Sequence, residues 1–117
     1  MIRTYMIDVT TAGSAGSATG SGTTTRPVNG YIVAVYVDFT SQASTADTTI
    51  TDDAGQAILT LTNSNTDGWY YPRTQIDDTA GSGISAQYDK VAVDGYVDVS
   101  VAQSNAGSVA VTLLVEE

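Results

Sequence analysis

The chain has 117 residues, of which 42% are hydrophobic and only 15% charged, a length that makes one domain with a modest core. Thirteen carboxylates stand against four cations for a net charge of −9, which repels polyphosphate and anionic lipid and argues against nucleic-acid or membrane partners. There is no cysteine and no histidine, which removes disulfides, thiolate metal sites and the commonest general base together.

The N-terminal run MIRTYMIDVTTAG is too short, and too broken by Arg3 and Asp8, for a signal peptide. No later stretch has the length of a membrane-spanning segment, so synthesis in a cytoplasm without export is the expectation. Residues 3–10 (RTYMIDVT) are the first expected strand. Then comes AGSAGSATGSG (12–22), with four Gly, three Ser, three Ala and one Thr. Such a composition favours flexible coil. Its place between two strand-like segments argues otherwise, because side chains this small let another backbone come close. The segment is expected to be a thin strand, extended and paired or buried at a contact, with Ala15, Gly16 and Ser17 as interface candidates.

NGYIVAVYVDFT (29–40) is apolar on both sides. Val33, Val35, Val37 and Phe39 share one face, while Ile32, Ala34 and Tyr36 form the other. A strand of this kind is central and covered twice. One cover is its own core; the other is a second layer of the chain or a neighbouring subunit. Ile32 and Tyr36 are therefore interface candidates.

DTTITDDAGQAILTLTN (47–63) supplies two short strands across a TDDAGQ turn. GWYYPRTQI (68–76) reads as one extended edge, since Pro72 cannot donate to a ladder and keeps Tyr71 extended. Residues 77–83 read as loop and KVAV (90–93) as a short strand. In YVDVSVA (96–102) and SVAVTLLVEE (108–117) apolar residues alternate strictly, and QSNAGS between them suits a hairpin turn. No window has helical periodicity, and eleven of the thirteen acids are Asp, a turn residue, rather than Glu. The expected fold is all-β: a single domain over 1–117, an antiparallel sandwich or jelly roll of about eight strands with little or no helix.

Chemistry-bearing patterns are few. Asp52-Asp53 and Asp77-Asp78, each near a Gly, lack the alternating oxygen spacing of a calcium loop. Asp pairs that could flank a sugar arise by chance among eleven Asp. The serines have no His partner and no G-x-S-x-G elbow, and TAGSGIS lacks the lysine of a phosphate-binding loop. No catalytic residue, metal ligand or cofactor is expected, and the chain does not read as an enzyme. The most distinctive surface candidate is WYYPR (69–73). Alternation puts Trp69 and Tyr71 on one face and Tyr70 on the other. With Arg73 they would form a protein hot spot or a sugar-stacking platform, unless Trp69 merely closes one end of the core.

The succession VTTAGSAGSATGSGTTTRPVNGYIVAVYVDF, DTTIT, ILTLTN, WYYPR and VDGYVDVSVAQSNAGSVAVTLLVEE resembles small virion proteins of tailed bacteriophages, over most of the chain. The resemblance implies a head-decoration (auxiliary, cement) protein, a β-sandwich or jelly roll forming trimers on the capsid surface. Its partners would be copies of itself and the major capsid protein, with Trp69, Tyr70, Tyr71, Arg73 and segment 12–22 as candidate contacts. The alternative is a carbohydrate-binding module of a phage fibre or head appendage, which calls for Trp69 and Tyr70 exposed and coplanar.

Overall fold

Ten strands and no helix make up the chain, which the computed structural model describes in full from Met1 to Glu117. They are β1 (Ile2–Thr11), β2 (Ala18–Thr23), β3 (Val28–Thr40), β4 (Asp47–Asp52), β5 (Ala57–Leu61), β6 (Gly68–Tyr70), β7 (Arg73–Asp77), β8 (Gly83–Gly95), β9 (Val97–Ser104) and β10 (Gly107–Glu116). A six-stranded sheet runs β1-β10-β3-β8-β7, with β6 also on β3, and a four-stranded sheet runs β2-β9-β4-β5. Every pairing is antiparallel. The fold is the expected all-β sandwich, with ten strands rather than about eight.

Alternation builds the core. Tyr5, Ile7 and Val9 of β1, Val109, Val111, Leu113 and Val115 of β10, and Val91 and Val93 of β8 point inward from the larger sheet. They meet Val97, Val99 and Val101 of β9, Ile50 of β4 and Ile58 of β5. β-Branched side chains at every second position fit such a half-buried pleat. Polar groups close one end: Gln42 Nε2 donates to Thr11 Oγ1 at 3.1 Å, and Thr11 Oγ1 donates to the Asn105 carbonyl at 2.7 Å. At the other end Tyr5 donates to Glu117 Oε2 at 2.6 Å, beside an Arg3–Glu117 ion pair at 3.2 Å. The Arg26 guanidinium lies 5.3 Å from the centre of the Tyr5 ring.

Several expectations are corrected. The strands at 96–102 and 108–117 do not form a hairpin. β9 pairs β2 and β4 in one sheet, and β10 pairs β1 and β3 in the other. The residues between them form a corner that carries the chain from one sheet to the other. Two strands that each have one apolar face satisfy it equally well side by side or facing one another, and here they face. The short strand at 90–93 is the inner end of the 13-residue β8. The single edge at 68–76 is broken after Tyr70 into β6 and β7, because Pro72 removes a donor at the join.

Segment 12–22 divides in two. Residues 13–17 form an exposed turn, held by Ser17 N to the Ser14 carbonyl at 3.0 Å and Gly16 N to Asn105 Oδ1 at 3.0 Å. Only from Ala18 onward is it strand. There the small-residue argument holds, inside the chain: a Cβ on Gly20 would strike the Thr10 carbonyl, and one on Gly22 would lie 2.9 Å from Ile7 Cγ2. The glycines let β2 of one sheet press against β1 of the other.

Candidate interaction face

Of the two outer covers expected for residues 31–39, a second layer of the chain is not there: the four-stranded sheet lies on the core side only. A bulge sets which residues face out. The β3–β10 register passes from Leu114↔Ala34 to Val115↔Ile32, so Val33 is an extra residue and alternation shifts by one. Ile32, expected on the outer face with Ala34 and Tyr36, is fully buried in the core instead. Val35 and Val37 face inward as expected, while Ala34 and Tyr36 lie on the outer side, Ala34 covered by its neighbours to 2% exposure and Tyr36 half-buried.

The same bulge lies where β3 changes partners. Its first half pairs β8 through Ile32↔Val91, and its second half pairs β6 from Val35↔Tyr70. Val33 falls in the gap, and Arg73 fills it: Nη1 donates to the Val33 carbonyl at 3.3 Å and to the Pro72 carbonyl at 2.8 Å.

Cross-strand register then assembles the outer face row by row. Met6 of β1, Thr112 of β10, Tyr36 of β3 and Trp69 of β6 are successive partners. Thr4, Leu114 and Ala34 form the neighbouring row. The Tyr36 and Trp69 rings lie 5.1 Å apart with planes at 51°, a tilted pair of the kind aromatic quadrupoles favour. Met6 is 65% exposed and Trp69 49%. Asp8, Ala110 and Asp38 make the next row. Asp67, just before β6, extends it, with Oδ1 accepting from Phe39 N at 2.7 Å. An apolar and aromatic strip is thus bordered by carboxylates on one side and by Arg73 on the other.

Of the candidates named from sequence, Tyr36, Trp69 and Arg73 come together on this face. Tyr71 is exposed at the break between β6 and β7. Tyr70 turns the other way and packs against the core. Ala15, Gly16 and Ser17 lie in the exposed turn at 13–17. Trp69 therefore does not close the core, and Trp69 and Tyr70, on opposite faces, do not form a flat platform. Met6, Leu114, Asp8, Asp38 and Asp67 are the part of the face that sequence reasoning missed. Met6 carried the available signal, being a large apolar residue on the polar side of an alternating strand.

The paired aspartates fasten turns. Asp52 Oδ1 accepts from Ala54 N and Gln56 N at 3.0 and 2.8 Å, and Asp78 Oδ1 from Ala80 N and Ser82 N at 2.9 and 3.0 Å. Asp53 Oδ2 accepts from Tyr96 N at 3.1 Å. The surface has no pocket, and no three acidic side chains gather as metal ligands would. No protein-family model matches the chain, and no curated protein is significantly similar to it.

Proposed function

We propose that this is a non-enzymatic structural protein that decorates the exterior of a tailed-phage head as a small symmetric oligomer of identical copies. The observation that carries this reading is the outer face of the six-stranded sheet, where Met6 and Trp69 are exposed, Tyr36 and Leu114 lie half-buried beside them in adjacent strands, and no second sheet of the chain covers them. Exposed apolar strips bordered by charge are the signature of protein contact, and Trp, Tyr and Arg are the residue types that anchor such contacts.

The acidic balance suits the outside of a head better than the DNA-facing inside. The exposed turn at 13–17 and the exposed end of the β7–β8 hairpin would meet the major capsid protein. Several copies attached together turn modest contacts into firm ones. The test is sedimentation of the purified protein, followed by co-sedimentation with heads assembled without it. An oligomer that binds such heads supports the reading; a monomer that stays in the supernatant ends it.

A further inference from the structure

Arg73 is set apart from the other cations. Arg3 pairs with Glu117, Lys90 with Glu116, and Arg26 covers the Tyr5 ring. Arg73 alone has no carboxylate or ring partner and donates only to the Val33 and Pro72 carbonyls, in a chain of net charge −9. Directly across the strand pair stands Lys90, and like charges placed so oppose the pairing. Lys90 is neutralised by Glu116 at 3.1 Å, whereas Arg73 keeps an unbalanced positive charge.

On β3 the order is Val33, where Arg73 is anchored, then Tyr36 beside Trp69, then Asp38 beside Asp67. Five residues of strand separate the first from the last, roughly 16 Å. The positive and negative ends of the strip therefore lie on either side of the aromatic pair. A two-fold axis in the plane of contact, running across the strands at the aromatic pair, exchanges those ends. An acidic partner would be repelled at the Asp8–Asp38–Asp67 end, and a basic one would be repelled at Arg73. The surface that fits both ends at once is this same face turned around.

We propose, building on the self-association above, that two copies pair outer face to outer face across a two-fold axis at Tyr36 and Trp69, with Arg73 of each set against Asp38 and Asp67 of the other. The contact is isologous, unlike the threefold arrangement that the phage resemblance implies. Asp94 of β8 is opposite Asn29, beyond Tyr31, and lies outside the strip.

The experiment uses the full chain and sedimentation equilibrium, with circular dichroism to show that each variant is folded. Arg73→Glu and Asp38→Arg should each weaken self-association by about tenfold or more, since each places like charges in contact twice. Mixed in equal amounts, the two single variants should form a heterodimer of near wild-type strength, because one charge pair is then restored in reversed sense and the other is the native Arg73–Asp38 pair. Trp69→Ser should weaken association in every combination. If the wild-type protein associates but the mixed variants do not, this arrangement is overturned while the self-association reading stands. A wild-type monomer overturns both.

Discussion

The two faces of the six-stranded sheet are made by the same strands, one residue out of step, and they differ in what they must do. The inner face is a continuous array of Val, Leu and Ile matched against β9, β4 and β5. The outer face mixes Met6, Leu114, Tyr36 and Trp69 with Thr4, Thr112 and a row of aspartates. Burial on the inner side is achieved within one chain, so its residues answer to shape and volume. On the outer side the apolar groups are sparser and edged by charge, the pattern that the proposed contact between copies calls for.

Truncation on the inner face should have the largest effect on folding. Leu113 is fully buried, between Tyr5 of β1 and Val35 of β3 in the register. Leu113→Ala should cost about 2–5 kcal/mol in urea denaturation, a large part of the stability of a domain this size. Leu114, the next residue along the same strand, faces out and is half-buried, and Leu114→Thr should cost clearly less than Leu113→Ala.

The junction between the sheets is next. Gly20→Ala forces a Cβ against the Thr10 carbonyl, which is backbone and cannot move aside without parting β2 from β1. A loss of about 1–3 kcal/mol is expected from such overpacking. Gly16, in the exposed turn, has φ +81° and open space around it. Gly16→Ala should cost only about 1 kcal/mol, from the left-handed backbone alone. Equal losses at the two positions would mean that β2 does not press on β1 as described.

The inner face was largely legible in the sequence because alternation is local, and Val97–Val99–Val101 and Val109–Val111–Leu113–Val115 face the core as their period requires. Strand partnership was not legible there. A chain reversal at Gln103–Gly107 reads alike whether it closes a hairpin or turns a corner between sheets. The outer face was legible only in fragments, Tyr36, Trp69 and Arg73, because the Val33 bulge moves Ile32 from one side to the other. No single-strand pattern signals a bulge that depends on the change of partner from β8 to β6. Met6, Asp8, Asp38 and Asp67 join the strip through cross-strand register, which period alone does not supply. Buried Thr48 and Ser104 likewise sit inward where hydropathy alone would place them out.

The Tyr5 end of the core gives a smaller, pH-dependent effect. The Tyr5 phenol is held above its ordinary value of 10.0, first by its hydrogen bond to Glu117, then by burial and by the charge of that carboxylate; Arg3 and Arg26 pull the other way. The folded state therefore binds this proton more tightly than the unfolded chain. The stability it contributes is whole below about pH 10 and is lost as the pH rises through the folded value. Tyr5→Phe should cost about 1–1.5 kcal/mol at neutral pH. Between pH 9 and pH 11 it should lose less stability than the wild-type protein; parallel losses would remove Glu117 as the partner of Tyr5.

The smallest effect on folding, and the sharpest separation of the two faces, belongs to Met6. Its Cα neighbours across the sheet include Thr112, and the next strand brings Tyr36 into the same row. Being 65% exposed, Met6 has little burial to lose, and Met6→Thr puts a β-branched residue of good strand propensity in its place. Monomer stability should change by less than about 0.5 kcal/mol. Self-association should weaken measurably by sedimentation, because the thioether side chain continues the Tyr36–Trp69 strip toward the β1 edge. A change in folding without a change in association would assign Met6 to the core side of this comparison. The reverse result would separate what the outer face does from what holds the sandwich together.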